Sequence, residues 1–429
     1  MKNVIYFDNN GTTPQSKQSI KETIKWMEVC ANPSSNNKIS LEAKKLIEEG
    51  KKYILNHCGV NSKKYTVIFT SGGTESNSFI IRSSVSSYIK IKKHKPHIII
   101  SSIEHNSIID CCNKLVENDC IELTKVVPNI FGIIDPISIV KNIKSNTCLI
   151  SIMFSNNEIG SINDIKQIGK IAHLNNIPFH TDAVQTFGKH VINLQKNNID
   201  AISVSFHKFY SPKGIGLVII NNDFIDGYKL EGIINGTQQN GLRGGTENIS
   251  SIAGAIVGMK YNFNKRNEKN KRLLKFRNVL LDNLNKYIDI IYYSDYYNKI
   301  EDYKDIDIFI ILFGPYRKDI SNYVENTLLI SIVSNKKKLC NLILKKHLEE
   351  KNIIVSIGSA CSTSSKYASH VLTELNISDI IKRGTIRISF GDNNNISEIN
   401  TFIPILIKCI NKQVPLINFI KKYKNKNIK

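Results

Sequence analysis

A chain of 429 residues, 41% hydrophobic and 22% charged, is long enough for two substantial cores and excludes a disordered protein. No stretch has the uninterrupted apolar length of a membrane span, and the N-terminal MKNVIYFDNNGTTP lacks the basic-then-apolar layout of a signal peptide; a cytoplasmic protein without a membrane partner is expected. The formal charge of +21 attracts phosphates in general, but the lysines are spread along the whole chain and accompany no nucleic-acid-binding motif, so no specific nucleic acid is expected.

Residues 4–7 read as a short strand, followed by the turn formers DNNGTTP at 8–14. Helical spacing covers 16–27, ANPSS at 31–35 forms a loop containing Asn32, and a second helix covers 41–58. A strand at 67–70 runs into SGGT at 71–74 and then a helix. Such a turn offers backbone N–H groups and the positive end of the helix dipole to a phosphate, with Gly73 and Thr74 closest to hand. A strand at 98–101 delivers His105, whose imidazole titrates near neutrality and suits proton transfer. A buried strand at 148–153 leads into SNNEIG, with Asn157. An amphipathic helix at 162–174 then crosses back to an apolar run ending at Asp182, with Gln185 just beyond. The next apolar run, 201–204, ends in Ser205, His207 and Lys208 before a Pro-Lys-Gly turn. The alternation over 66–220 argues for an α/β fold with a mainly parallel sheet and helices on both faces.

Beyond it lie the glycine-rich INGTQQNGLRGGTEN at 234–248, which contains Thr246, and a helix from 249 to about 286. The segment 292–323 reads either as an insertion with its own strand at 306–313 or as a surface for a partner. Nine cysteines occur without CxxC pairs, so neither a disulfide framework nor a metal site is suggested. Cys361 stands apart from the others because GSACSTSSK around it has the composition of a flexible loop, where packing explains a thiol poorly. A strand at 385–390 carries Arg387, and a guanidinium there can grip a carboxylate through two parallel hydrogen bonds.

At the end of a strand in an open α/β sheet, Lys208 faces the ligand crevice, where an amine can form a Schiff base with a carbonyl compound. Pyridoxal 5'-phosphate is the usual carbonyl partner, and its ring nitrogen needs a carboxylate beside it; Asp182 precedes Lys208 by about one helix-and-strand unit. The pair HTDAVQ and SFHKFYSPKG resembles the cysteine desulfurases of the NifS/IscS type, which have the aspartate-aminotransferase-like fold of type I pyridoxal-phosphate enzymes. SGGTES, IEH, SNNEIG, RGGTEN, GSACSTS and TIRISFG each have counterparts in that family, so the resemblance runs from Tyr6 to about Ile410 and lapses over 292–323.

The resemblance implies a homodimer that converts L-cysteine to L-alanine and leaves a persulfide on Cys361, for delivery to an iron-sulfur scaffold or a tRNA-thiolating enzyme. It implies that Lys208 holds the cofactor and that His105 stacks on the ring and moves protons. Asp182, Gln185 and Asn157 would address the ring, Asn157 also lying beside the substrate, and Gly73, Thr74, Ser205 and His207 the phosphate. Thr246 would reach the partner's phosphate, Arg387 the substrate carboxylate, and Asn32 the substrate, unless Asn32 only marks a helix boundary. The division implied is a large cofactor-binding domain at 15–262 and a small domain of 1–14 with 263–429. A selenocysteine lyase, another pyridoxal enzyme such as an aminotransferase, and a non-catalytic binding protein of the same fold are the alternatives.

Overall fold

The computed structural model describes residues 4–314, 322–357 and 369–414. The chain opens with the short strand β1 (Ile5–Tyr6) and helices α1 (Lys17–Met27) and α2 (Lys38–His57). The side chains of Ser16 and Asn37 cap the two helices by accepting from the backbone N–H three residues on. Strand and helix then alternate: β2 (Tyr65–Thr70), α3 (Gly73–Lys92), β3 (His97–Ser101), α4 (Asn106–Glu117), β4 (Glu122–Val126), α5 (Pro136–Val140), β5 (Thr147–Ser151), α6 (Ile165–Leu174), β6 (Phe179–Asp182), β7 (Ala201–Ser205), β8 (Gly216–Asn221) and α7 (Asn222–Tyr228).

These strands form one seven-stranded sheet in the order β2-β8-β7-β6-β5-β3-β4. Only β8 runs against its neighbours, pairing antiparallel with β2 and β7. Every residue of β3, β5, β6 and β7 is buried, as strands covered on both faces must be. Successive side chains of a strand point to opposite faces. Ile99 accordingly packs in one cluster with Ile168 of α6, while Ile98 and Ile100 pack in another with Phe79 of α3 and Ile108 of α4. The parallel strands therefore all release their C-terminal turns along one edge, where ligands of open α/β sheets bind.

Helix α8 (Ile249–Leu284) leads out of this body as a single 36-residue element, about 54 Å long at 1.5 Å per residue. The expected division after residue 262 falls inside it. The rest comprises β9 (Ile290–Tyr292), α9 (Tyr293–Asn298), β10 (Ile308–Phe313), β11 (Thr327–Ser334), α10 (Asn341–Glu349), β12 (Ile353–Ile354), α11 (His370–Glu374), α12 (Asp379–Arg383), β13 (Thr385–Ser389) and α13 (Ile396–Gln413). Four of the strands form a second sheet in the order β13-β11-β10-β9. The strand read as part of an insertion is β10, which pairs with β9 on one side and β11 on the other and so is an inner strand of this sheet.

The chain's first strand joins this second body. β1 pairs in parallel with β12, and Asp8 bridges to Ser389 at the end of β13. Phe7 seals the junction, meeting Phe390 and Phe402 edge-on at 5.3 Å each. Among the described residues no helix is long and apolar enough to cross a membrane.

Candidate active site

At the C-terminal edge of the large sheet, a cleft of about 350 Å³ is lined by Gly73, Thr74, His105, Asn157, Asp182, Gln185, Ser205, His207, Lys208 and Arg387. Ten of the predicted site residues thus come together from strand ends and turns far apart in the chain. Strand register explains the pairing at its centre. β6 and β7 are parallel neighbours with Asp182 opposite Ser203, so the turns that follow them emerge side by side.

Lys208 ends a single 3-10 turn, Phe206–Lys208, held down by the buried rings of Phe206 and Phe209. Its Nζ donates to the carbonyls of Asn10 and Gly11, both at 2.7 Å. Asp182 is 5% exposed; its Oδ2 accepts from Asn77 Nδ2 at 2.8 Å and its Oδ1 from the Val184 N–H at 2.9 Å. Ionised, it keeps further acceptor capacity for a ring N–H.

His105 caps α4, its Nδ1 accepting from the Ser107 N–H at 3.1 Å. That bond leaves the imidazole proton on Nε2. Desolvation in the cleft pulls the pKa of His105 down, aided by the Lys208 amine and opposed by Asp182. Behind it sits Glu104, fully buried. Glu104 Oε1 accepts from Ser101 Oγ at 2.5 Å and the Met153 N–H at 2.8 Å, whereas Oε2 is buried without a partner. Burial pushes this carboxyl up to about 8, against the two bonds to Oε1, and so favours its protonated form at neutral pH.

The opposite end of the cleft suits a phosphate. Helix α3 starts there, and its cap residue Gly72 supplies no side-chain bond to the first turn, leaving those N–H groups to a ligand. The turn sits directly on β8: a Cβ on Gly216 would lie 2.6 Å from the Gly72 Cα and 2.7 Å from the Val204 carbonyl oxygen. Thr74 and Ser205 add hydroxyls. His207 bonds Thr12 Oγ1 through Nδ1 at 3.0 Å, and burial, followed by Lys208 and Lys213, pushes its pKa down to about 4. A carboxylate for a ring nitrogen, an amine for a carbonyl and a helix N-terminus for a phosphate thus fit pyridoxal 5'-phosphate.

The second sheet supplies the remaining wall. Arg387, in β13, donates from Nη1 to the Asn157 carbonyl at 3.0 Å and from Nη2 to Asp8 Oδ1 at 2.7 Å, while its buried Nε has no partner. The guanidinium is therefore already held on two sides, and any further carboxylate binding to it would share it with Asp8. His370, at the start of α11, also lines the cleft and bonds the Glu104 carbonyl through Nε2 at 2.9 Å. Ser369, just before it, donates to Glu158.

Two predicted residues lie outside the cleft. Asn32 is exposed and its Oδ1 accepts from the Ser34 N–H at 3.0 Å, a local turn. Thr246 is exposed, in a loop tied back to the large sheet by Gln239, whose side chain bonds both the N–H and the carbonyl of Phe69, and by the Arg243–Glu75 ion pair. Cys361 lies outside the described residues. Sequence reasoning missed Asp8, Asn10, Glu104, Lys189 and His370. Asp8 and Asn10 stood in the noticed DNNGTTP turn; the other three carry no signal until the fold surrounds them.

A family model described as aminotransferase class-V matches residues 5–300. The chain is 33% identical over 416 residues to the cysteine desulfurase IscS of Dictyoglomus turgidum, covering 96% of each chain. It is 32% identical over 410 residues to that of Methanosarcina thermophila, covering 95% of this chain and 92% of the relative. A solved NifS-like protein superposes with a TM-score of 0.78 at 27% identity, over 95% of this chain and 99% of the other. The NifS-like protein from Rickettsia africae gives 0.76 at 27%, over 95% and 100%. With the cleft's amine, carboxylate and helix N-terminus in the places such a cofactor needs, these matches lead to one conclusion: the chain belongs to the pyridoxal-phosphate-dependent class-V aminotransferase family, among the cysteine desulfurases of the NifS/IscS type.

Proposed function

We propose that the chain converts L-cysteine to L-alanine as a homodimer in the cytoplasm, passing the sulfur to Cys361 as a persulfide. The observation that carries this reading is the convergence of Lys208, His105, Asp182 and Arg387 on one cleft of about 350 Å³. The bound cofactor supplies an electron sink conjugated to the substrate Cα. Lys208 would hold the cofactor by its carbonyl carbon and serve as the base for the substrate Cα proton. Asp182 would accept from the ring N–H. His105 presents its Nε2 proton to the cleft and, with Lys208, would move the protons that the substrate carbons lose and regain. Arg387 binds the substrate carboxylate beside Asp8.

The net step balances without an external oxidant. The Cβ–S bond of L-cysteine and the S–H bond of Cys361 break, an S–S bond forms between the two sulfurs, and Cβ gains a hydrogen equivalent to the one Cys361 gives up, which makes alanine. The persulfide is then reduced by attack of an acceptor's thiolate, which carries the outer sulfur away. The acceptor class proposed is an iron-sulfur scaffold or a tRNA-thiolating enzyme, and Thr246 of each subunit completes the phosphate site of the other.

The test is a visible spectrum of the purified protein with pyridoxal 5'-phosphate, with alanine and sulfide assayed after adding L-cysteine and a reductant. Equal alanine and sulfide from the native protein, and neither from Cys361→Ala, is the expected result. Transamination that survives in Cys361→Ala without persulfide would replace this reading with an aminotransferase, and failure to bind the cofactor would leave a binding protein.

A further inference from the structure

The mechanism above leaves one buried amine unused. Lys189 follows the Gly188 turn beyond Gln185, and its Nζ reaches three neutral amide oxygens: Gln185 Oε1 at 3.2 Å, Asn10 Oδ1 at 3.4 Å and Asn326 Oδ1 at 3.4 Å. Gln185 in turn donates from Nε2 to the Asn10 carbonyl at 3.1 Å, and that same oxygen accepts from Lys208 Nζ at 2.7 Å. The Asn10 side chain also donates to the Asn157 carbonyl at 3.1 Å and to Thr327 Oγ1 of β11 at 2.7 Å. Lys189 thus sits at the back of a hydrogen-bonded plate whose front carries Gln185, Asn157 and Lys208.

The charges around it are unbalanced. Lys208 and Arg387 press on it from the cleft side. A cavity of about 30 Å³, room for about one water, separates it from Lys208 and is also lined by Arg266, Lys269 and Asp392. Of the two nearby carboxylates, Asp392 pairs with Lys269 at 2.5 Å, while Glu325, 3.3 Å from His190, also pulls on Lys189. Burial first, then Lys208 and Arg387, pushes the Lys189 amine down to about 7 against the opposing pull of Glu325.

We infer that Lys189 is a positioning residue of the active site, whose ammonium fixes the Gln185 amide and the Asn10 segment against which Lys208 rests, and so sets how tightly the anionic cofactor is held. This rests on the cofactor-binding reading above and goes beyond it. An ammonium has three N–H donors for its three acceptors; the neutral amine has two and no charge. Charged Lys189 therefore orders the plate and attracts the cofactor, and both effects fade as pH rises through the amine's pKa.

The experiment measures the dissociation constant of pyridoxal 5'-phosphate by its visible absorption, for native protein, Lys189→Arg and Lys189→Met, from pH 6 to pH 8.5. Ratios between variants at each pH cancel the cofactor's own titrations. Arginine stays charged throughout and methionine never is. The native protein is expected to bind about fivefold or more tighter than Lys189→Met at pH 6, an advantage that shrinks toward none at pH 8.5. Lys189→Arg is expected to keep its advantage over Lys189→Met at every pH. A native-to-Met ratio that does not change with pH overturns the inference even if Lys189→Met binds weakly, since packing alone gives that result. A native protein that binds no cofactor at any pH overturns the inference and the proposed function together, whereas a pH-independent ratio leaves the function standing.

Discussion

Replacing Glu104 by glutamine should remove a large slope from the protein's stability against pH. The carboxyl is fully buried, one oxygen is bonded to Ser101 and the Met153 N–H, and the other has no partner, so ionising it leaves an unsolvated charge. Its pKa is raised by burial from an ordinary 4.5 to about 8. A raised folded-state value means that the native state holds the proton more tightly than the unfolded one. The stability this contributes is complete below about pH 4.5, declines as pH rises, and is lost above about 8. At about 1.4 kcal/mol for each pH unit between the two values, the whole effect is about 5 kcal/mol. Unfolding native protein and Glu104→Gln in urea at fixed protein concentration, from pH 5 to pH 8.5, isolates it. Glutamine adds a pH-independent cost for its buried NH₂ group, so only the pH dependence of the difference counts. Native stability should fall by about 4 kcal/mol more than that of the variant over this range. Two curves that stay parallel within about 1 kcal/mol would refute the reasoning, because they would mean that Glu104 is ionised in the fold.

Other perturbations have equally direct readouts. Lys269→Met leaves Asp392 to Arg272 alone, at 3.3 Å on its more exposed side, and should cost about 1.5–3 kcal/mol in unfolding experiments. Adding Asp392→Asn should recover part of that loss, and a cycle showing no coupling between the two positions would sink the pairing argument. Gly216→Ala drives a methyl into the Gly72 backbone and should weaken pyridoxal 5'-phosphate binding about tenfold, with the fold intact by circular dichroism. Arg387→Lys cannot serve Asp8, the Asn157 carbonyl and a carboxylate together, and should raise KM for L-cysteine about tenfold while the cofactor spectrum stays unchanged.

The sequence made the central chemistry readable because strand ends punctuate it. Asp182 and Lys208 each follow an apolar run too short for a helix, and parallel neighbours place such ends together without any knowledge of side-chain detail. Elements whose environment is assembled from distant segments were hidden. Glu104 is one residue before the recognised His105, yet its raised pKa comes from burial by segments far apart in the chain, against the hydrogen bonds from Ser101 and the Met153 N–H. Lys189 read as one lysine among many until Asn10 and Asn326 arrived beside it. β10 looked like an insertion because strand pairing across a sheet leaves no local trace, and its partners β9 and β11 are themselves ordinary apolar runs. Asn32 shows the converse, a polar residue in a plausible motif whose side chain serves its own turn.

The pairing of β1 with β12, and of Asp8 with Arg387, also dictates an order of assembly. Synthesis runs from the N-terminus, so Asp182 and Lys208 are available long before β12 and β13 have been made. Asn10 and Gly11 can settle on Gln185 and Lys208 early, but β1 and Asp8 must wait for nearly the whole remaining chain before they are pinned, a closure over several hundred residues that local structure cannot hasten. A nascent chain can thus complete the carboxylate and amine end of its cleft early, whereas the wall that selects the amino acid comes last. Growing chains stalled before β13 should accordingly take up the cofactor without discriminating among amino acids.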